Sequence, residues 1–384
     1  MGRTRPDPWR GGSAPPLDLW NGAALPHEKL LPLEAARRLG LGMRPERWQE
    51  HATFRPTLTP WLVPQATLAG RSGARRRPLV IVAPGGAYVN LSPFEGPPVC
   101  RWLNKLGFHA GLLLYRQLRM HPAPLLDGRR AVQLVRNRSS EWHVDPSRIL
   151  MLGFSAGGHL AGHVALAWNE LAGRKTDAQL QAAGDAVAWQ SARLAGAVLA
   201  YPVVSAHNDS VGTVGQGAFR CHAYHCVGRA RWGSPRPLRH HASMEVLLGP
   251  RLGSTLPRGS EAAVSLEDLA LTLPEPPPPF FVWHTEMDEL VPSANAVRLA
   301  ASLRERGDRR AVELHVFQGP NPPLRHGLGL AFERRLSSYA ACAHDQRLCV
   351  GNWTALCAGW LRRTFRSIAA GRGASRTRHA PPPL

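Results

Sequence analysis

The sequence predicts an α/β fold in which a mostly parallel, twisted sheet carries helices on both of its faces. Short apolar runs alternate with helix-like segments along most of the chain. Several of these runs are apolar at consecutive positions, as strands buried on both faces are. The alternation implies right-handed crossovers between parallel strands. A chain of 384 residues, 44% of them hydrophobic, can bury one large core or two modest ones.

The apolar runs predict six strands, and the segments between them predict five helices. The strands are Leu79–Ala83, His109–Tyr115, Arg148–Gly153, Gly196–Tyr201, Phe280–His284 and Val312–Phe317. The helices cover about residues 94–106, 126–141, 156–170, 293–306 and 352–367. We expect one domain over residues 17–368, with flexible basic tails at 1–16 and 369–384.

One segment, residues 206–239, interrupts the alternation and is rich in Gly, His, Arg and Cys. It predicts a long loop or a lid-like insertion, and loops of this length are usually functional or disordered. Within it, the sequence CHAYHC at 221–226 offers four side chains of the types that bind zinc. Adjacent ligands cannot readily surround one tetrahedral ion, and no second cluster is obvious. A solvated loop or a local Cys221–Cys226 contact is therefore preferred, and no metal site is predicted.

The net charge of +20 is nearly all arginine, because the chain has only three lysines. Arginines cluster at 71–77 and again at 362–378. Neither cluster interleaves aromatic residues as a base-stacking surface does, and no nucleic-acid-binding motif is present. The charge therefore indicates a compositional bias on a soluble protein and does not favour a nucleic-acid partner.

The first twenty residues, MGRTRPDPWRGGSAPPLDLW, lack the apolar core of a secretory signal. No apolar run is long enough to span a membrane. The six cysteines form no CxxC pair, which is compatible with a reducing compartment. These observations favour a cytoplasmic location.

Ser155 lies in the sequence GFSAG, residues 153–157, which matches G-x-S-x-G. A predicted strand precedes this motif and a predicted helix follows it, which is the setting of a nucleophile elbow. Bulky side chains two residues to either side of the serine would collide with neighbouring backbone, so glycine is needed there. The alternative is that Ser155 is only a small residue in a Gly-rich turn.

A serine nucleophile needs a base and an acid that orients the base, and in this architecture the acid comes first along the chain. Asp288 follows the strand that ends at His284 and precedes a helix, so it is the candidate acid. Glu286 and Glu289 are rivals in the same loop. Asp288 is preferred because D-x-x-V-P then fixes the loop on the side of the helix.

The candidate base is His326, in a Gly- and Pro-rich loop after the last predicted strand. Its position after a strand and before a terminal helix distinguishes it from the other histidines. His315 lies within a strand and is interpreted as structural. His159 and His163 lie on the predicted elbow helix and are expected to point away from Ser155.

Two backbone N–H groups near Ser155 would form an oxyanion hole. One is expected from Ala156, directly after the serine. The other is expected from the loop PGGAY at 84–88, which contains Gly86 and Ala87. The alternative is an ordinary Gly-Gly turn, but its position after the first strong strand favours the functional interpretation.

Several motifs together are similar to a known family. They are APGGAY, YR at 115–116, RAVQLVR, EWHVDPSRI, LGFSAGGHLA, AYPVVS, WHTEMDELVP and HGLGLA. They resemble α/β-hydrolases of the acetylxylan-esterase-like and bacterial feruloyl-esterase-like group, from about Leu17 to Phe365. The resemblance implies the α/β-hydrolase fold and carboxylic-ester hydrolysis without a cofactor.

By position, the resemblance assigns Ser155 as nucleophile, Asp288 as orienting acid and His326 as general base and then acid. Gly86, Ala87 and Ala156 would supply the N–H groups. The family usually has a third glycine where this chain has Ala87, and alanine is compatible with that position if its φ is negative. The insertion at 206–239 lies near the expected mouth of the substrate site, so the family does not fix the substrate.

The leading hypothesis is a serine esterase acting on short acyl esters, with acetylated or feruloylated carbohydrate as candidate substrates. A peptidase using the same triad is one alternative. A non-catalytic ligand-binding protein on a hydrolase scaffold is another.

Overall fold

An eight-stranded sheet forms the centre of the protein. The computed structural model describes residues 7–38, 41, 43–64, 76–207, 241–248, 260–286, 288, 290–307, 310–317, 326 and 352–377. The strands are β1 Leu17–Asp18, β2 Thr57–Trp61, β3 Arg77–Ala83, β4 His109–Leu114, β5 Val144–Phe154, β6 Ala197–Ala200, β7 Phe280–Thr285 and β8 Val312–Phe317. Their order is β1-β2-β4-β3-β5-β6-β7-β8. The pairs β1–β2 and β2–β4 are antiparallel and the other five pairs are parallel, which confirms the predicted mostly parallel sheet.

Helices connect the strands and cover both faces of the sheet. They are α1 Leu33–Arg38, α2 Pro45–Thr53, α3 Pro97–Lys105, α4 Ala123–Asn137, α5 Ala156–Leu166, α6 Leu171–Ala182, α7 His241–Leu248, α8 Leu266–Thr272, α9 Ala294–Arg306 and α10 Trp353–Thr377. The five predicted helices correspond to α3, α4, α5, α9 and α10. The prediction missed β1 and β2 at the edge of the sheet, as well as the five other helices.

Alternation along β3 divides the buried residues between two cores. Leu79 and Ile81 belong to the core under α4, α5 and α9, whereas Val80 and Val82 belong to the core under α3 and α10. All four side chains are fully buried. Each contributes roughly 1.5–3 kcal/mol relative to an exposed position. The parallel strands β3 to β8 therefore have a fixed direction, and the loops at their carboxyl ends gather at one edge of the sheet.

Residues 7–16 pack against the sheet, so the prediction of a flexible tail over 1–16 is wrong there. The N–H of Ser13 donates to the carbonyl of Pro60 at 2.8 Å, and the Ser13 hydroxyl accepts from Leu62 N–H at 2.9 Å. Trp9 packs on the core under α3 and α10. The last helix also continues to Thr377, beyond the predicted start of the C-terminal tail at 369.

Part of the arginine excess is internal. Arg116 and Asp127 form a fully buried ion pair at 2.8 Å, and the Trp20 indole N–H donates to the same carboxylate at 3.0 Å. The guanidinium carbons of Arg116 and Arg130 lie 5.9 and 5.4 Å from the Trp20 ring centroid. Arg130 also bonds the half-buried Asp185. These contacts fix the chain before β2 onto α4.

Most of the predicted insertion at 206–239, with Cys221 and Cys226, lies outside the described residues. Within the described residues, no three His, Cys, Asp or Glu side chains are grouped so that they could hold a metal ion. Among the helices of that part of the chain, none combines the length and apolarity needed to cross a bilayer.

Candidate active site

Ser155 occupies a strained turn between β5 and α5, with φ 51° and ψ −118°. The flanking glycines are required by backbone contacts. A Cβ on Gly153 would lie 1.9 Å from the carbonyl oxygen of Gly157, and a Cβ on Gly157 would lie 2.2 Å from that of Ala83. A side chain at Gly153 would push the start of α5 away from β5, and one at Gly157 would push α5 away from the end of β3. The predicted elbow is therefore formed by sterics that only glycine permits.

His326 lies between Ser155 and Asp288. Its Nε2 is 2.9 Å from the Ser155 hydroxyl oxygen, and its Nδ1 is 2.7 Å from Oδ2 of Asp288. An ionised carboxylate can only accept, so Nδ1 carries the proton and Nε2 is free to accept from the serine. The three predicted residues, which lie after β5, β7 and β8, thus form one chain of hydrogen bonds.

Asp288 is held by four donors. Its Oδ1 accepts from the N–H groups of Leu290 and Val291 at 3.0 and 2.9 Å. Its Oδ2 lies 3.2 Å from Nε2 of His284, in addition to its bond from His326. Nε2 of His284 is also 2.7 Å from the carbonyl of Val291, so this nitrogen carries a proton that both acceptors share. The loop ending in Val-Pro thus fixes the carboxylate, as the preference for Asp288 expected.

The electrostatics of Asp288 and His326 are coupled. Burial opposes ionisation of Asp288, but the charge of His326 and hydrogen bonds from His284 and His326 outweigh it and hold the pKa of the carboxyl well below its ordinary value. Burial likewise opposes the charge on His326, yet Asp288 raises the pKa of the imidazole above its ordinary value. The rival Glu286 is exposed, and Glu289 lies outside the described residues.

The loop after β3 approaches the nucleophile closely. A Cβ on Gly85 would lie 3.0 Å from Cβ of Ser155. Gly86 has a different reason to be glycine: its φ is 134°, and a Cβ there would lie 2.2 Å from the carbonyl oxygen of Asn90. Its glycine thus permits a tight turn, in which Gly86 O accepts from Asn90 N–H at 2.9 Å.

Ala87 has a φ of 56°, so the condition under which alanine was judged compatible with this position, a negative φ, is not met. Alanine therefore occupies the left-handed region that favours glycine. Tyr88 follows with a φ of 60°. Among the described residues, no acceptor is found for the N–H of Ala87 or for that of Ala156 at the start of α5.

Sequence reasoning missed the side chains that hold this loop. The Tyr115 hydroxyl donates to the carbonyl of Pro84 at 2.7 Å. The N–H of Gly85 donates to Oε2 of Glu95, also at 2.7 Å. Tyr201, in the motif AYPVVS, donates to Glu95, and Tyr88, in the motif APGGAY, bonds His159. No pattern in the sequence distinguishes Glu95.

The other histidines weighed as candidate bases have structural contacts. His159 and His163 are buried on α5, and neither contacts Ser155 through its ring. The ring of His163 stacks on that of His121 at a centroid distance of 5.2 Å. His315 on β8 lies 3.0 Å from Glu313, in keeping with its interpretation as a strand residue.

A mostly parallel sheet, a serine at a strand–helix elbow, and an aspartate and a histidine after later strands define an α/β-hydrolase. Residues 69–202 match the BD-FAE family. The crystal structure of acetyl ester-xyloside bifunctional hydrolase from Caldicellulosiruptor lactoaceticus is 30% identical and aligns with a TM-score of 0.56, covering 89% of this chain and 98% of that one. The chain belongs to the BD-FAE-like group of α/β-hydrolases, which confirms the resemblance.

Two curated relatives match over shorter shares of their own length. Endo-1,4-beta-xylanase B of Butyrivibrio fibrisolvens is 26% identical over 270 residues, which are 69% of this chain and 34% of the relative. Esterase LipQ of Mycobacterium tuberculosis is 28% identical over 278 residues, which are 71% of this chain and 55% of the relative. The chain thus spans about a third of the first relative and about half of the second.

Proposed function

We propose that this chain is a serine carboxylic-ester hydrolase that acts through an acyl-enzyme on short acyl esters. The observation that carries the proposal is the chain of hydrogen bonds from Ser155 through His326 to Asp288, with distances of 2.9 and 2.7 Å. This arrangement lets one side chain attack a carbonyl while a second removes its proton.

The first half of the reaction forms the acyl-enzyme. Nε2 of His326 accepts the hydroxyl proton as Ser155 Oγ bonds to the ester carbonyl carbon. The buried Asp288 carboxylate stabilises the imidazolium that results. The imidazolium then gives its proton to the leaving alcohol as the C–O bond breaks. A water molecule activated by the neutral imidazole hydrolyses the acyl-enzyme in the second half.

The tetrahedral intermediates carry a negative oxygen that needs N–H donors. We assign this role to the N–H groups of Ala156 and Ala87, with Gly86 shaping the loop that presents the second donor. Ala156 is the first residue of α5, so the positive end of the helix adds to its effect. Removing one such donor typically costs ~10²–10³ in kcat.

The relatives support an ester as substrate. One is named an esterase, and another is titled an acetyl ester-xyloside bifunctional hydrolase. Acetylated and feruloylated carbohydrates are therefore the candidate substrates for this chain. A panel of p-nitrophenyl esters of increasing acyl length, set against acetylated and feruloylated sugars, tests this part of the proposal.

Ser155→Ala tests the reaction itself. It should abolish hydrolysis of p-nitrophenyl acetate and labelling by a fluorophosphonate probe, while the thermal unfolding midpoint stays near that of the wild type. The matched control is Ser140→Ala, because Ser140 is exposed and lies before β5, at the opposite end of that strand. Turnover retained in Ser155→Ala contradicts the proposal. Faster cleavage of a dipeptide amide than of the ester would favour a peptidase. A wild type that neither reacts with the probe nor hydrolyses the ester would favour a ligand-binding protein.

A further inference from the structure

Glu95 is a buried carboxylate that the triad does not use. It ends a short 3-10 helix, Pro93–Glu95, that follows the loop after β3, and it is 6% exposed. Its Oε2 accepts from the N–H of Gly85 and its Oε1 accepts from the hydroxyl of Tyr201, each at 2.7 Å. A carboxylate so enclosed needs such donors because burial alone disfavours its charge.

Both donors to Glu95 also contact the candidate site. Gly85 lies close to Ser155: a Cβ on this glycine would be only 3.0 Å from the serine Cβ. The ring of Tyr201 lies 4.9 Å from that of His326, in an edge-to-face arrangement with an interplanar angle of 69°. Glu95 therefore connects the loop that would present one oxyanion donor, Ala87, with Tyr201, the residue that packs on the base.

Tyr201 is held in an unusual backbone conformation at this point. Its φ is 37°, and its N–H donates to the carbonyl of Trp283 at 2.7 Å. A non-glycine residue with positive φ persists only where its surroundings determine it. The bond to Glu95 is one of the contacts that fix the Tyr201 ring beside His326.

Several titratable groups face His326 and Glu95. Asp288 and Glu95 both raise the pKa of the imidazole, Asp288 more strongly. His284 bonds Asp288, which in turn bonds the base. Burial raises the pKa of Glu95 above its ordinary value, against the opposing effects of Tyr201, Gly85 and His326. The hydroxyl of Tyr115, which also lies near Glu95, donates to Pro84 and stays neutral because burial raises its pKa.

We propose that Glu95 is a positioning residue: it fixes Gly85 and Tyr201, and it supplies a second negative charge, beside that of Asp288, to the imidazolium that forms on His326 during attack. This inference rests on the proposed ester hydrolysis. It predicts that loss of the charge weakens the base even where the contacts remain.

Glu95→Gln is the decisive change, because a glutamine can accept from Gly85 N–H and donate to the Tyr201 oxygen. The acid limb of kcat/KM for p-nitrophenyl acetate should move ~0.5–1 pH unit lower. Without the charge of Glu95 the imidazolium form of His326 is less favoured, so the pKa of the base falls. The plateau should fall about 10-fold, because the imidazolium of the transition state loses the same stabilisation. A purely structural contact would lower the plateau without moving the limb.

Two further variants serve as controls. Glu170→Gln neutralises a half-buried carboxylate at the start of α6 and should leave both limb and plateau as in the wild type. Glu95→Asp keeps the charge with a shorter reach, so the plateau should fall while the limb stays within about 0.2 pH unit of the wild type.

An acid limb of Glu95→Gln within about 0.2 pH unit of the wild type overturns the proposal. If Glu95→Gln does not fold, Glu95→Asp decides. An acid limb of kcat/KM that moves to lower pH in Glu95→Asp, although the negative charge is kept, would contradict a role for that charge. Failure of the proposed function has a different signature, because the wild type itself would then show no turnover that depends on Ser155.

Discussion

The hydroxyl of Tyr88 lies 2.8 Å from Nδ1 of His159, which joins the loop after β3 to helix α5 one turn beyond Ser155. Nε2 of His159 is 2.6 Å from the carbonyl of Val264, so that nitrogen carries the proton and Nδ1 accepts from the tyrosine. The carbonyl of Tyr88 in turn accepts from Leu118 N–H at 2.7 Å. The loop that would present one oxyanion donor is thereby fixed to the helix that presents the other.

Tyr88→Phe should weaken both stability and catalysis. It leaves Nδ1 of the buried His159 without a donor, which costs roughly 1–3 kcal/mol of unfolding free energy. The loop then loses its anchor to α5, so kcat should fall more than KM rises. Urea unfolding and steady-state kinetics measure the two effects.

Thr176→Val is the matched control for Tyr88→Phe. It also removes a buried hydroxyl, which in the wild type donates to the carbonyl of Ala172 within α6, far from Ser155. It should cost stability without changing kcat. Equal kinetic effects of the two substitutions would show that the Tyr88 contact has no special effect on the loop.

Asp288→Asn should lower kcat by ~10³–10⁴ with little change in KM. An asparagine amide can donate to Nδ1 of His326, which moves the imidazole proton to Nε2, where it can no longer accept from Ser155. The pH profile should also change, because the pKa of His326 loses the main effect that raises it. Steady-state kinetics over pH 5–9 would check this at intervals of about half a unit.

His284→Gln separates orientation from charge at the same carboxylate. It removes the imidazole that shares its proton between Asp288 and Val291 but leaves the Asp288 charge in place. Activity should fall far less than in Asp288→Asn. If the two variants lose equal activity, orientation by His284 matters as much as the charge, and the tautomer argument for Asp288→Asn fails.

Sequence patterns predicted the parts of the fold that repeat a simple rule. Buried parallel strands such as β3 and β6 contain continuous apolar runs with sharp ends. Strand β2, next to the two-residue edge strand β1, reads TLTPW, where a proline and two threonines conceal the pairing. Helix α6 is mostly polar and exposed, so no apolar stripe indicates it. Elements at the margin of a core give little periodic signal.

The candidate site divides in the same way. Ser155, Asp288 and His326 were found because an elbow motif and chain order restrict where they can lie. Glu95 contacts Tyr201 across 106 positions of sequence, and only folding brings the two together. The positive φ of Ala87 could not be predicted from the sequence, because alanine normally indicates a negative φ, whereas hydrogen bonds around the turn fix this residue.

Acid should destabilise the protein through three histidines that pack together, the buried His159 and His163 and the half-buried His121. Burial lowers the pKa of His121 and His159 to about 4, and lowers that of His163 further. In the unfolded chain each takes up a proton near its ordinary value of about 6.5. Stability present above pH 6.5 is therefore lost as the pH falls from there towards 4, at up to about 1.4 kcal/mol per pH unit for each group.

His163→Leu should flatten this dependence, because it removes one titrating group and replaces it with an apolar side chain. Urea unfolding at pH 7, 6 and 5 would measure the slope. His143→Asn is the control: His143 is exposed and has a φ of 52°, which asparagine tolerates, so the slope should not change. A slope for His163→Leu equal to that of the wild type would exclude His163 as a cause of acid sensitivity.

The backbone conformation of Ala87 predicts whether a substitution there raises or lowers the unfolding free energy. With φ at 56°, the alanine carries a strain of roughly 1–2 kcal/mol that glycine relieves, while the greater freedom of glycine in the unfolded chain offsets about 0.4–1 kcal/mol. Ala87→Gly should therefore leave the unfolding free energy unchanged or raise it by up to about 1.5 kcal/mol. Its N–H remains in place, so kcat/KM should stay within about twofold of the wild type.

Ala87→Val tests the same geometry from the other side, because a β-branched residue is strongly disfavoured at positive φ. It should lose about 1–3 kcal/mol of stability and, as the turn shifts its N–H away from Ser155, at least about 10-fold in kcat/KM. Ala178→Gly is the matched control on an exposed position within α6. There the same change from alanine to glycine should cost about 1 kcal/mol, because the helix gains nothing from positive φ. If Ala87→Gly is destabilised as much as Ala178→Gly, the turn does not hold residue 87 in the left-handed region. The second oxyanion donor would then have to be sought elsewhere in the loop.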